Sequence, residues 1–252
     1  MRVARVTPAP GASGKAAGLA GVEGGTATPE VATLRDRHER LAGRLCEIAA
    51  GNGHDPERLR IVGVTKTHPL ELARAAFEAG ITLLGENRVQ EAEPKIAAVP
   101  EAEWHFIGRL QSNKVRRAVR AFAVIHSVDS AELLERVDAT AAEEGCVPRV
   151  LLQVNASGEA SKAGLDPEAL GSISAPNTAR LVGLMTIAPM GAAPEAARAV
   201  FGRLRALRDG LEDRIGFGLP ELSMGMSADA EAAAAEGATL VRIGTALFGP
   251  RA

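Results

Sequence analysis

Between residues 59 and 243 the chain alternates apolar runs of strand type with helical stretches, and this rhythm limits the fold more than any other feature. The strand runs fall at 59–65, 81–84, 104–107, 124–127, 150–154, 181–187, 221–223 and 240–243, with helical stretches at 70–79, 89–98, 112–121, 131–144, 167–174, 194–213 and 228–236. Strands joined by a crossover helix pair in parallel, and a parallel sheet is covered by helices on its faces. Runs such as Ile61-Val62-Gly63-Val64, apolar at every position, fit burial on both sides. Eight units predict a closed (β/α)8 barrel over 60–249, near the small end for that fold; an open doubly wound sheet is the alternative. Ahead of the barrel, Leu34, Leu41, Leu45 and Ile48 recur at helical spacing over 31–50, an extra leading helix that Gly51-Asn52-Gly53 stops.

Residues 1–30 are rich in Gly, Ala, Thr and Pro and lack apolar periodicity, so they read as a disordered tail and leave 31–252 as one barrel domain. The tail has no apolar core of a secretory signal. Its few acids beside Arg2, Arg5 and Lys15 fit either an organellar transit segment or a plain flexible extension. With a net charge of −2 over 252 residues, neither sign dominates, which argues against nucleic-acid and membrane-surface binders that depend on a basic face. No apolar run reaches membrane-spanning length. Cys46 and Cys146 show neither CxxC nor Cys/His metal spacing, which fits a reduced, cytoplasmic compartment.

The polar and glycine residues that break the apolar pattern nearly all follow a strand: Lys66, Gly85-Glu86-Asn87, Gly108, His126 and Asp129, Asn155, Thr186, Met224-Gly225-Met226-Ser227 and Gly244-Thr245. In a barrel these loops converge on one rim, where such folds keep their sites. Any one of them alone is also ordinary turn chemistry. Lys66 ends the first strand; burial there would leave a neutral amine able to condense with an aldehyde, whereas a plain surface lysine would snorkel to water. Ser227 sits before an Ala-rich helix, either as its cap or as a donor to a phosphate that Gly225 lets approach closely. Gly244 and Thr245 follow the eighth strand, the second loop at which barrels bind phosphate. Arg242 lies between Val241 and Ile243, so its obligatory charge needs a partner: an ion pair, or the ring nitrogen of a heterocycle such as pyridoxal phosphate. Asn87 either caps a helix or faces the ligand. His105, inside Trp104-His105-Phe106, reads first as a satisfied core histidine. Lys114, Arg116, Arg117 and Lys162 read as solvated surface.

Assembled in order, Val64-Thr65-Lys66, Gly85-Glu86-Asn87, Trp104-His105-Phe106-Ile107-Gly108, Leu110-Gln111-Ser112-Asn113-Lys114, Gln153-Val154-Asn155, Ser161-Lys162-Ala163-Gly164, Gly183-Leu184-Met185-Thr186, Ser223-Met224-Gly225-Met226-Ser227 and Arg242-Ile243-Gly244 resemble the pyridoxal-phosphate homeostasis proteins, the YggS or PROSC type, over about residues 34 to 250. The resemblance implies a barrel of the alanine racemase N-terminal kind, the type III fold of pyridoxal-phosphate proteins. It implies a Schiff-base lysine at Lys66, phosphate contacts at Ser227, Gly244 and Thr245, a ring-nitrogen contact at Arg242 and a polar contact near Asn87. The tail falls outside the resemblance, and Ala188 before Pro189 departs from it.

Two functions of different class follow. The first is a pyridoxal-phosphate binder that buffers, protects or hands on the cofactor, with apo-enzymes as recipients, as a monomer or weak dimer. The second is an amino-acid racemase, which needs acid/base groups on both faces of a substrate carbon. In alanine racemases the second group is a tyrosine from a further domain, and this chain has no tyrosine and ends just past the eighth strand; His105 would have to substitute. A barrel that binds phosphate without pyridoxal chemistry is a third reading.

Overall fold

A computed structural model gives the fold and describes residues 28–159 and 163–249. The tail up to residue 27, and Ser161 and Lys162 with the readings placed on them, lie outside the described residues. Eight parallel strands close on themselves in chain order: β1 (Arg60–Val64), β2 (Leu83–Glu86), β3 (Glu103–Phe106), β4 (Val124–Val128), β5 (Arg149–Gln153), β6 (Arg180–Met185), β7 (Glu221–Met226) and β8 (Leu240–Ile243). The seam is a full ladder, with Arg60, Ile61, Val62 and Gly63 beside Leu240, Val241, Arg242 and Ile243. This closure decides for the barrel over the open sheet.

Helices α1 (Pro29–Gly51), α2 (Leu70–Glu78), α3 (Val89–Ala98), α4 (Val115–Ala121), α5 (Ala131–Glu144), α6 (Pro194–Ile215), α7 (Ala230–Ala235) and α8 (Thr245–Phe248) surround it. α1 begins inside the expected tail, at Pro29, because Thr28 caps it by accepting from the Val31 amide. It then lies across α7 and α2 with Leu45 and Ala49 buried. The expected helix at 167–174 is a 3-10 segment, Pro167–Ser172, capped by Asp166. Gly171 and the approaching Pro176 give that stretch little helix propensity.

Two strands run two or more residues further than expected. β2 runs on through Gly85 to Glu86, whose side chain is fully buried and paired within the barrel wall. β7 runs on to Met226 through a register shift between Ser223 and Met226. Gly225 has φ +87, and a Cβ there would stand 2.5 Å from the Ala233 side chain. Its bare Cα therefore serves the packing of β7 on α7.

Inside the barrel the first residues of β1, β3, β5 and β7 form the floor. Arg60 pairs with Glu221 at 2.5 Å and Arg149 with Glu103 at 2.5 Å. All four come from odd-numbered strands, the layering that strand tilt imposes on such barrels. Val124, Leu151 and Met185 make a separate small apolar cluster.

Candidate functional site

The mouth is built where β7, β8 and β1 end side by side. Lys66 stands two residues past β1 and is half-buried. Thr67 follows it at φ 65°, a left-handed conformation that a β-branched residue adopts only when its surroundings force it. The next residue, His68, packs its ring against Phe248 of α8 with centroids 5.6 Å apart, tying the Lys66 turn to the segment after β8. Gly244 lies under that turn: a Cβ built on it would meet only the Val64 carbonyl oxygen at 3.7 Å and the Val64 side chain at 3.8 Å, with open space elsewhere. Ser227 reaches the same place from β7, its hydroxyl accepting from the Ala246 amide at 3.4 Å. Lys66, Ser227, Gly244 and Thr245 are thus neighbours by topology, as the loop pattern required.

Ser227 does not cap the helix after it. α7 begins at Ala230, and the intervening turn is closed by the Asp229 carboxylate accepting from the Met226 amide at 2.6 Å. With the helix starting three residues later, the serine hydroxyl is turned to the loop after β8 instead. Asn87 does not cap α3 either; the helix starts at Val89 after Arg88. Asn87 lines a cavity of about 240 Å³ with Phe106, Arg109, Gln111 and Lys114. Asp129 stands before Ser130, which caps α5 by accepting from Leu133. Arg116 and Arg117 pair with Glu143, Glu144 and Glu93 on the outer surface, as a solvated face should.

Arg242 is the buried cation of the site. Its Nη1 donates to the Ser223 hydroxyl at 2.6 Å and its Nη2 to the Thr186 carbonyl at 2.9 Å. Both partners are neutral, so the ion pair considered from sequence is not what holds it. Burial pulls its pKa down to about 10, opposed through space by Asp229, which leaves it protonated at neutral pH. A guanidinium has five N–H donors, and three of them have no acceptor among the described residues.

Behind Arg242 a file of hydrogen bonds descends the barrel. Ser223 Oγ meets His126 Nδ1 at 2.8 Å, His126 Nε2 meets His105 Nδ1 at 2.7 Å, and His105 Nε2 meets Glu103 Oε1 at 2.9 Å. The second Glu103 oxygen takes Arg149. Both imidazoles are buried, which pushes both pKa values down, that of His126 further; Glu103 opposes the shift at His105. The hydrogen bond from His105, with Arg149 beside it, holds Glu103 at about 2 against the opposing effect of burial.

Under the Lys66 turn lies a second buried polar cluster. Lys95 of α3 donates to Glu86 Oε1 at 2.6 Å and to the Thr65 carbonyl at 2.8 Å, while the Thr65 hydroxyl donates to the same Glu86 oxygen at 2.8 Å. Sequence reading passed over Lys95, although its place three residues after Ala92 on the buried stripe Val89–Ala92–Lys95 signals a lysine directed inward. It also left Ser223 and Glu103 out of the site, because their partners come from strands far away in sequence.

Among the described residues no group of His, Cys, Asp and Glu could hold a metal, no helix is long and apolar enough to cross a membrane, and Cys46 and Cys146 are free thiols.

Comparison with known proteins agrees with the barrel fold. The family described as alanine racemase, N-terminal domain, matches residues 54–252. The pyridoxal phosphate homeostasis protein of Pseudomonas aeruginosa is 44% identical over 229 residues, covering 88% of this chain and 97% of its own. That of Aquifex aeolicus is 41% identical over 223 residues, covering 86% and 97%. The solved structure of PipY from Synechococcus elongatus with pyridoxal phosphate bound superposes with a TM-score of 0.76 at 40% identity, covering 86% of this chain and all of that one.

Proposed function

We propose that this chain, which belongs to the family of pyridoxal phosphate homeostasis proteins built on the alanine racemase N-terminal barrel, binds pyridoxal phosphate as a Schiff base on Lys66 and buffers, protects or delivers it inside the cell. The observation that carries this reading is the seam of β8 against β1. It sets a half-buried lysine beside open space over Gly244, with a buried arginine two residues before that glycine whose remaining donors have no acceptor among the described residues. The donor set suits an aldehyde-bearing phosphorylated pyridine: an amine for the aldehyde, Ser227, Gly244 and Thr245 for the phosphate, and Arg242 for the ring nitrogen, with Asn87 as a further polar contact. The pyridoxal phosphate bound in the PipY structure supports this choice of ligand.

The chemistry such a cofactor supplies is a reactive aldehyde; the Lys66 amine adds to it and water leaves, which hides the aldehyde from other amines until a recipient apo-enzyme takes it. Arg242 stays charged and donates to the ring nitrogen, so it keeps that nitrogen unprotonated and the ring a weak electron sink. This favours storage over turnover. The racemase reading needs a second acid/base group, and His105, its only candidate from sequence, has both nitrogens engaged in the barrel interior. We take residues 31–252 as the cofactor-binding unit, acting in the cytoplasm as a monomer or weak dimer. The test is optical: purified protein mixed with pyridoxal phosphate should develop a visible absorption band that Lys66→Ala abolishes. A colourless wild type would favour a phosphate-binding barrel without pyridoxal chemistry, and amino-acid racemisation well above that of the free cofactor would favour an enzyme.

A further inference from the structure

The file from Arg242 to Glu103 has chemically fixed ends. A guanidinium has hydrogen-bond donors and no acceptor, and an ionised carboxylate the reverse. Arg242 Nη1 must therefore donate to Ser223 Oγ, and Glu103 Oε1 must receive a hydrogen from His105 Nε2. If His105 is neutral with its hydrogen on Nε2, its Nδ1 is an acceptor, and the hydrogen in the 2.7 Å contact comes from His126 Nε2. His126 Nδ1 is then an acceptor as well, and the Ser223 hydroxyl hydrogen points to it. Each donor–acceptor role follows from its neighbour, and every hydrogen points towards the floor. Burial of both rings beside Arg149 and Arg242 disfavours the added charge that a doubly protonated imidazole would bring.

We propose that Glu103, His105, His126 and Ser223 are positioning residues forming a one-way relay, in which the carboxylate on the barrel floor sets the hydrogen on each imidazole and so orients the hydroxyl that holds Arg242. This goes beyond cofactor binding and rests on that reading only for its purpose, since Arg242 is the group it would present to the ring. Arg149 is what makes the relay sensitive to Glu103, because it claims one Glu103 oxygen. In Glu103→Gln the amide oxygen must face Arg149, which turns the NH₂ towards His105 Nε2 and forces that nitrogen to accept. The hydrogen on His105 moves to Nδ1, the one on His126 follows to Nδ1, and Ser223 Oγ then accepts from His126 as well as from Arg242, so that its own hydrogen must turn away from His126.

The test uses the cofactor-free full-length protein, with imidazole and guanidinium nitrogens followed by NMR near neutral pH. Wild type should show both rings neutral with the hydrogen on Nε2 and a slowly exchanging Arg242 Nη group. Glu103→Gln should switch both rings to Nδ1–H. In Ser223→Ala, which tests the Arg242 end even if the floor substitution prevents folding, the Arg242 hydrogens should exchange about tenfold faster, as loss of one charge-assisted hydrogen bond implies. A wild-type ring carrying hydrogen on Nδ1 would overturn the proposal, as would a Glu103→Gln protein whose His126 is unchanged, or Arg242 exchange unaffected by Ser223→Ala. Because no cofactor is present, a wild type that never colours with pyridoxal phosphate would defeat the proposed function while leaving these outcomes readable.

Discussion

Lys95 Nζ donates to the carbonyl of Thr65, the residue before Lys66, at 2.8 Å, from a side chain that is 7% exposed. A lysine of α3 thus pins the last peptide of the β1 turn, and the same ammonium neutralises Glu86, which is fully buried.

Removing one partner of this pair leaves the other charge buried alone. Lys95→Met should lower unfolding stability by about 3–5 kcal/mol, and Lys95→Met with Glu86→Leu should recover much of the loss. Urea unfolding of the two variants and wild type checks this; a single variant as stable as wild type would show that the pair contributes nothing to holding the turn.

Gly225→Ala should destabilise by about 1–3 kcal/mol, because the new methyl meets the Ala233 side chain at 2.5 Å in a left-handed backbone. Gly53→Ala provides the comparison. That glycine is also left-handed, at φ +79, but has nothing within 4 Å, so the same backbone strain comes without the collision. Thermal melts of the two proteins separate strain from contact.

Stability should fall in two stages on acidification. His105 and His126 have folded pKa values below the ordinary 6.5, so the unfolded chain binds more protons and stability drops as pH falls from about 6.5 towards those lowered values. The slope approaches about 1.4 kcal/mol per pH unit for each ring. Glu103 has a folded value depressed from 4.5 to about 2, so what it contributes is fully present above 4.5 and disappears between there and 2. Urea midpoints between pH 7 and 3 read both stages; in His126→Asn the first should flatten.

The barrel was legible because it depends on patterns that sequence carries directly: branched apolar runs, helical spacing between them and glycines at the turns. Arg242 was legible for the same reason, since a cation flanked by Val241 and Ile243 contradicts its surroundings. His105 proved to be a satisfied interior histidine, the first of its readings from sequence, but its partner His126 is 21 residues away and Ser223 a further 97. Such contacts exist only after eight strands close, and no local spacing encodes them. Ser227 was open to two readings, a cap or a phosphate donor, and the cap reading failed because α7 starts only at Ala230, after a turn that the Asp229 carboxylate closes. Strand ends were misplaced at Glu86 for a related reason: a carboxylate reads as loop until the buried lysine that neutralises it is known.

The central claim is that Lys66 carries the cofactor opposite the loops after β7 and β8, and one measurement addresses it without intermediate steps. Protein incubated with pyridoxal phosphate, reduced with borohydride, digested and analysed by mass spectrometry should yield one phosphopyridoxyl-modified peptide, with the modification on Lys66. Modification confined to Lys114 or another surface lysine, or no modification at all, would contradict the account.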